Sequence, residues 1–257
     1  MSIEIKNLSF SYGKHRVLED ICLTVNDGEL LAVLGPNGVG KTTLFNCMLR
    51  LLNGYSGQTL IDGVSVNDMK VAELARKVAY VPQSHYPSFS YSVFDMVLMG
   101  TTPHVHGVAS PGHREMEQSE QALETLGILH LRDRAYTQIS GGERQLTLIA
   151  RALAQQARVI IMDEPTANLD YGNQLRVLSS IKELAVSGYT IIQSTHSPDH
   201  AFLFADRVLA LMDGRVAAYG SPKDVITPEL VKALYGIEVQ IQVGANASYT
   251  CVPIISA

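Results

Sequence analysis

No run of about 18 or more apolar residues occurs in the 257-residue sequence, so no segment is expected to span a bilayer as a helix by itself. The opening Met1-Ser2-Ile3-Glu4-Ile5-Lys6 also lacks the basic and then apolar stretch of a secretory leader, and the expectation is a cytoplasmic location. Cysteine is scarce. Cys22, Cys47 and Cys251 are odd in number and far apart, with no C-x-x-C pair, which argues against a disulfide framework or a zinc site and fits reduced thiols. Positive charge is not in excess: 20 Lys and Arg against 25 Asp and Glu leave a formal charge of −5. That balance argues against nucleic acid as a partner, because its binders usually carry a basic face. There is no internal repeat and no low-complexity tract. What is present is apolar residues at 46%, enough over this length to bury the core of one large domain, or of a core with a subdomain.

The most informative stretch is Gly35-Pro36-Asn37-Gly38-Val39-Gly40-Lys41-Thr42-Thr43. The apolar run Leu30-Leu31-Ala32-Val33-Leu34 precedes it, and Leu44, Phe45, Met48, Leu51 and Leu52 follow three to four apart. This pattern predicts strand, tight loop, helix, with Gly54 as the helix stop. Glycines let successive N–H groups turn inward, the helix contributes its positive end, and Lys41 adds a full charge beside the outer phosphates of a nucleotide. Thr42 offers a hydroxyl to Mg²⁺.

Around this loop the sequence reads as alternating strands and helices. Strands are expected at 3–5, 21–25, 57–61, 78–81, 159–162 and 190–194, and a hairpin joins 208–211 to 215–218 through Asp213-Gly214. Residues 10–13 read as a turn. Helices are expected at 71–76, from Ser92 with Val93, Met96, Val97 and Met99 on one side and Gly100 closing it, at 115–126 with Met116, Ala122, Leu123 and Leu126 buried, and at 175–184. Residues 101–112, with two prolines and two glycines, read as an exposed loop, which makes His104, His106 and His113 solvated side chains rather than metal ligands. Such alternation implies an α/β fold with a mainly parallel sheet, whose ligands gather at the carboxyl ends of the strands. Gly35, Gln83, Asp163 and His196 each follow such an end.

Two further motifs carry chemistry. Val159-Ile160-Ile161-Met162 ends in Asp163-Glu164, where Asp163 is placed to hold, through water, the Mg²⁺ that Thr42 contacts, and Glu164 to orient the attacking water. Ser140-Gly141-Gly142-Glu143 precedes Leu146, Ile149, Ala150 and Leu153, and reads equally as a capping box or as a second helix end suited to an anion. One fold of this size can hardly turn both helix ends onto one triphosphate, so the second end points to a nucleotide on a partner subunit. Tyr12, upstream of the phosphate loop, is either a packing residue or a platform for adenine.

Along nearly its whole length the sequence resembles the ATP-binding cassette family. Residues 35–43 match Walker A, Gln83 the Q-loop, residues 140–143 the signature motif, residues 159–163 Walker B, Ala167-Asn168-Leu169-Asp170 the D-loop and His196 the switch histidine. The departures are Ser197 in place of a frequent aspartate and Asn168 in place of a small residue. The resemblance implies one ATPase domain over 1–257. Its core is P-loop (RecA-like), at about 1–82 and 157–257, with an N-terminal antiparallel β subdomain and an inserted helical subdomain at about 83–156. It implies ATP and Mg²⁺ as cofactors, with ATP bound by Tyr12, Asn37, Gly38, Val39, Gly40, Lys41, Thr42, Thr43 and Asp163, and Mg²⁺ by Thr42, Gln83 and Asp163. Glu164, Gln83 and His196 are the catalytic set. Ser140, Gly141, Gly142, Glu143 and Asp170 would reach the nucleotide of a second copy in a head-to-tail dimer.

Residues 91–100, Tyr235-Gly236-Ile237-Glu238-Val239 and Val252-Pro253 look like the importers of iron-siderophore, haem and cobalamin complexes. That implies a membrane permease docked near Tyr86, Phe89 and Tyr91, a substrate-binding protein acting through it, and a peripheral place on the cytoplasmic membrane face. Two alternatives remain: a non-transport cassette ATPase such as an iron–sulfur cluster assembly scaffold, and a small-molecule P-loop kinase, which leaves residues 140–143 unexplained.

Overall fold

The strands that lead into the phosphate loop, Asp163 and His196 are built from runs that are buried throughout. The structure, a computed structural model, describes residues 1–83, 90–105, 110–244 and 248–254. Contacts divide the chain into two units, residues 1–68 with 185–257 and residues 69–184.

In the first unit β1 (Ile3–Tyr12) pairs antiparallel with β2 (His15–Val25) and, on its other side, with β4 (Ser56–Ile61), which continues into β5 (Val64–Ser65). Residues 10–12, expected in a turn, are the end of β1; the reversal falls at Gly13, where φ is +58°. The parallel part centres on β3 (Leu30–Leu34), flanked by β8 (Thr190–Thr195) and β9 (Arg207–Met212) in parallel register, Ala32 facing Gln193 and Val208. All five residues of β3 are buried, as a strand covered on both faces requires. The strand β10 (Arg215–Gly220) returns antiparallel to β9, and Asp213 and Gly214, both at positive φ, make the expected tight turn.

Helix α1 (Lys41–Met48) is a turn shorter than its apolar spacing predicts. Leu51 is 61% exposed and Gly54, at φ +84°, lies six residues past the last residue of the helix, so Gly54 does not stop it. The expected face ran on because apolar residues continue past the point where the partner surface ends; apolar identity does not by itself mean burial.

In the second unit β6 (Val78–Val81) and β7 (Val159–Met162) pair in parallel, with Val81 facing Met162. Helix α2 (Val71–Lys77) leads into β6. The helices α3 (Val93–Leu98), α4 (His113–Thr125) and α5 (Gly141–Ala154) pack on one another, and α6 (Tyr171–Val186) follows the D-loop segment. The buried face of α5 contains Leu146, Ile149, Ala150 and Leu153, as the spacing predicts. Met99 and Met116, expected inside, are 41% and 45% exposed.

The expected loop at 101–112 is corrected in its first part, where residues 99–104 form a 3₁₀ helix with Thr101 fully buried. A ring nitrogen of His104 lies 2.8 Å from the Gln155 carbonyl, so this histidine is a packing partner rather than a solvated side chain, while His113 opens α4 and is exposed. His106 lies outside the described residues. Gly100, expected to close α3, instead allows a close approach: a Cβ there would sit 2.0 Å from the Arg151 carbonyl oxygen of α5. Gly100→Ala must therefore displace backbone, and we expect a loss of about 3 kcal/mol, read as a lower thermal midpoint than wild type. An unchanged midpoint would mean that the two helices separate freely there.

The first unit closes with α7 (Pro198–Phe204), α8 (Pro222–Val225), α9 (Pro228–Tyr235) and an antiparallel pair, β11 (Val239–Val243) and β12 (Tyr249–Pro253), that the sequence reading passed over. Their buried side includes Ala201, Val225, Ile226, Val231 and Leu234, packed against Ala32 and Leu34 of β3.

Candidate nucleotide site

Within the first unit the phosphate loop takes the shape its glycines permit. Gly35 is buried, its N–H reaches the Thr195 carbonyl at 3.3 Å, and a Cβ there would lie 2.7 Å from the Leu211 carbonyl oxygen. Gly38 and Gly40 have φ of +81° and +110°, and Gly40 caps α1 in the left-handed region, where a side chain would be strained. Asn37, Gly38 and Thr42 face solvent, Val39 is half-buried, and Thr43 is buried.

Lys41 is only 5% exposed, and its Nζ donates to the carbonyls of Gly35 at 2.8 Å and Pro36 at 3.1 Å. The loop is thus closed around its own ammonium group, which two of its carbonyl oxygens hold. Tyr12 is 51% exposed and meets Phe10 in a T-shaped contact with ring centroids 4.8 Å apart. His196 is exposed and follows Thr195, the residue whose carbonyl holds Gly35. His200 lies nearby on α7, and its pKa is lowered, first by burial and then by the charge of His196, with Asp199 opposing.

The second unit holds the carboxylates. Asp163 is 3% exposed, directly past β7, and its N–H donates to the Val81 carbonyl at 2.9 Å. Its negative charge adds to burial in pushing the Tyr80 phenol up to about 12. Glu164 adopts φ +43° ahead of Pro165, a conformation that costs a non-glycine residue on the order of 1 kcal/mol or more. Gln83 Nε2 donates to Glu164 Oε2 at 3.2 Å, so these two sequence-predicted residues meet.

At the start of α5, Ser140 Oγ accepts from the Glu143 N–H at 3.3 Å while Glu143 Oε2 accepts from the Ser140 N–H at 2.7 Å. This is the reciprocal capping box that the sequence offered as one of two readings. The Ser140 hydroxyl and then its amide hold the Glu143 carboxyl below its ordinary pKa. Gly141 and Gly142 leave first-turn N–H groups without intrahelical acceptors, so the cap does not close the end to an anion.

Asp170 plays the same part for α6, accepting from Asn173 N at 2.9 Å and Asn173 Nδ2 at 2.7 Å; these bonds lower its pKa, the backbone one most. Asn173, which the sequence reading missed, also faces the start of α5, since a Cβ on Gly142 would lie 2.7 Å from Asn173 Oδ1. The D-x-x-N spacing of a helix cap was the available signal. The departure Ser197 is explained as the cap of α7, accepting from the His200 N–H at 3.3 Å. Asn168 occupies φ +60°, a region asparagine tolerates better than most residues.

Among the described residues no cluster of three or more His, Cys, Asp and Glu is arranged to hold a metal. Thr42 and Asp163 present a hydroxyl and a carboxylate, hard oxygen donors of the type Mg²⁺ takes alongside phosphate and water.

Residues 18–167 match the family described as ABC transporter. An uncharacterized ABC transporter ATP-binding protein of Haemophilus influenzae is 39% identical over 235 residues, 91% of this chain and 89% of that protein. The cobalamin import ATP-binding protein of Halobacterium salinarum is 35% identical over 242 residues, 94% of this chain; the match spans 60% of that longer protein. Among solved structures, an inward-facing ABC transporter of the metal-chelate type superposes with a TM-score of 0.87 at 32% identity, covering 99% of this chain and 98% of that one. The chain therefore belongs to the ABC transporter family and is an ATP-binding ATPase of P-loop fold.

Proposed function

We propose that the chain powers an importer of a metal chelate of the siderophore, haem or cobalamin type, acting as a pair of copies beneath a membrane permease that a substrate-binding protein supplies. The observation that carries the reading is the start of α5, a capped helix end with two glycines in its first turn, in addition to the phosphate loop at the start of α1. A kinase has no use for a second such end. A head-to-tail pair does, because Ser140, Gly141, Gly142, Glu143 and Asp170 of one copy then meet the triphosphate held by the other.

In this reading the Gly38–Gly40 backbone and Lys41 grip the β- and γ-phosphates, Tyr12 stacks on adenine, and Asn37, Val39 and Thr43 shape the loop. Thr42, Asp163 and Gln83 would hold Mg²⁺, whose contribution is to neutralise developing phosphate charge. Glu164 takes a proton from the attacking water, and His196 contacts the γ-phosphate. The helical subdomain corresponds to about residues 83–156.

The permease would dock on the same subdomain, where Tyr91, Asp95, Leu98, Met99, Thr102 and Pro111 line a cavity of about 460 Å³. Tyr86 and Phe89, expected beside it, lie outside the described residues. Among the described residues no helix is long and apolar enough to cross a membrane, in keeping with a subunit bound to the cytoplasmic membrane face through its partner. The tagged chain, purified in detergent from native membranes, is expected to carry a permease with it, and Met99→Glu to lose that partner while still binding ATP. Recovery of no membrane protein from wild type would contradict the reading.

A further inference from the structure

His196 hangs between two supports. On one side is β8, where Thr195 pairs with Leu34 at the root of the phosphate loop. On the other is α7, a helix of seven residues that begins at Pro198 and is too short to hold its own orientation. Its fixed points come from the end of the chain. Asp199 Oδ1, in the first turn, accepts from the Cys251 N–H of β12 at 2.8 Å. Near the last turn Phe202 stacks on Tyr249 of β12, with ring centroids 5.5 Å apart and planes at 21°. Between them Ala201 is fully buried, and Ile241 and Cys251 pack against the same apolar cluster. The strands β11 and β12 form a sheet of their own, joined to no other strand among the described residues. A two-stranded ribbon is marginal alone, so it holds its shape by lying on α7.

From this placement we propose that the β11–β12 hairpin is a clamp on α7, and that Asp199 and Tyr249 are positioning residues that set where His196 presents its ring to the nucleotide. The inference rests on the role given to His196 above. A shift of about 1 Å in a group that contacts the γ-phosphate is enough to lower turnover by one to two orders of magnitude without changing ground-state binding.

The test uses the full chain, measuring kcat and KM for ATP in Tyr249→Ala, Tyr249→Phe, Asp199→Ala and His196→Ala, and in the double variants with His196→Ala. Tyr249→Ala and Asp199→Ala are expected to lower kcat about tenfold with KM within about twofold of wild type, and Tyr249→Phe, which keeps the stacked ring, to restore kcat. His196→Ala is expected to lower kcat about a hundredfold and to leave a measurable residual turnover; in that background neither Tyr249→Ala nor Asp199→Ala lowers kcat further, because each acts through the absent ring. Additive losses in that background would show general loosening of the unit and overturn the clamp, as would wild-type kcat in both Tyr249→Ala and Asp199→Ala while His196→Ala shows its loss. Wild-type kcat in His196→Ala would instead overturn the role of His196, and the clamp with it.

Discussion

Glu164→Gln is expected to lower kcat for ATP hydrolysis about a thousandfold, roughly 4 kcal/mol of barrier, while ATP affinity stays within about twofold of wild type. The side chain has the geometry of a group placed rather than packed. It follows the buried strand β7, sits at φ +43° ahead of Pro165, and receives a hydrogen bond at 3.2 Å from Gln83. The substitution keeps the size of the side chain and leaves an amide oxygen for Gln83, so the local backbone survives and proton acceptance is what disappears. A nucleotide that is bound and not consumed should also hold two copies together, visible as an ATP-dependent dimer on gel filtration. Wild-type turnover would show that the base is elsewhere, and a persistent monomer would count against the paired arrangement.

Lys41→Ala should act on binding instead, weakening ATP affinity about a hundredfold, on the order of 3 kcal/mol. The ammonium is 5% exposed and bonded to two loop carbonyls, so its loss removes the phosphate partner and also the contact that closes the loop upon itself. Titration with a fluorescent ATP analogue reads this directly. Comparable loss of binding in Glu164→Gln and Lys41→Ala would contradict the division of roles.

The motif-bearing stretches were legible because each is specified locally. Five apolar residues followed by glycines and Lys41 admit little besides a buried strand and a phosphate loop, and Ser140 with Glu143 closes the capping box that its spacing announces. Where the sequence misled, the deciding partner was distant. Gly100 and Pro103 look like loop punctuation, yet Gly100 is there because the Arg151 carbonyl, 51 residues on, comes too close for any side chain. Leu51, Met99 and Met116 continue helical patterns past the surfaces that would have covered them. The hairpin β11–β12 does carry a strand signal, the alternation of Val239, Ile241 and Val243, which the sequence reading passed over; what no local pattern supplies is its place against Asp199 and Phe202. What the sequence did not offer were the contacts around the candidate residues: Asn173 on Asp170, Ser197 capping α7, and Tyr249 against Phe202.

The burial of Lys41 also has a practical side. Every other lysine of the chain is partly or fully exposed, whereas this amine is screened by the loop that it closes. Amine-directed reagents will therefore decorate the outside of the protein first, and a preparation coupled to beads or dyes through its lysines should keep its phosphate loop chemically untouched.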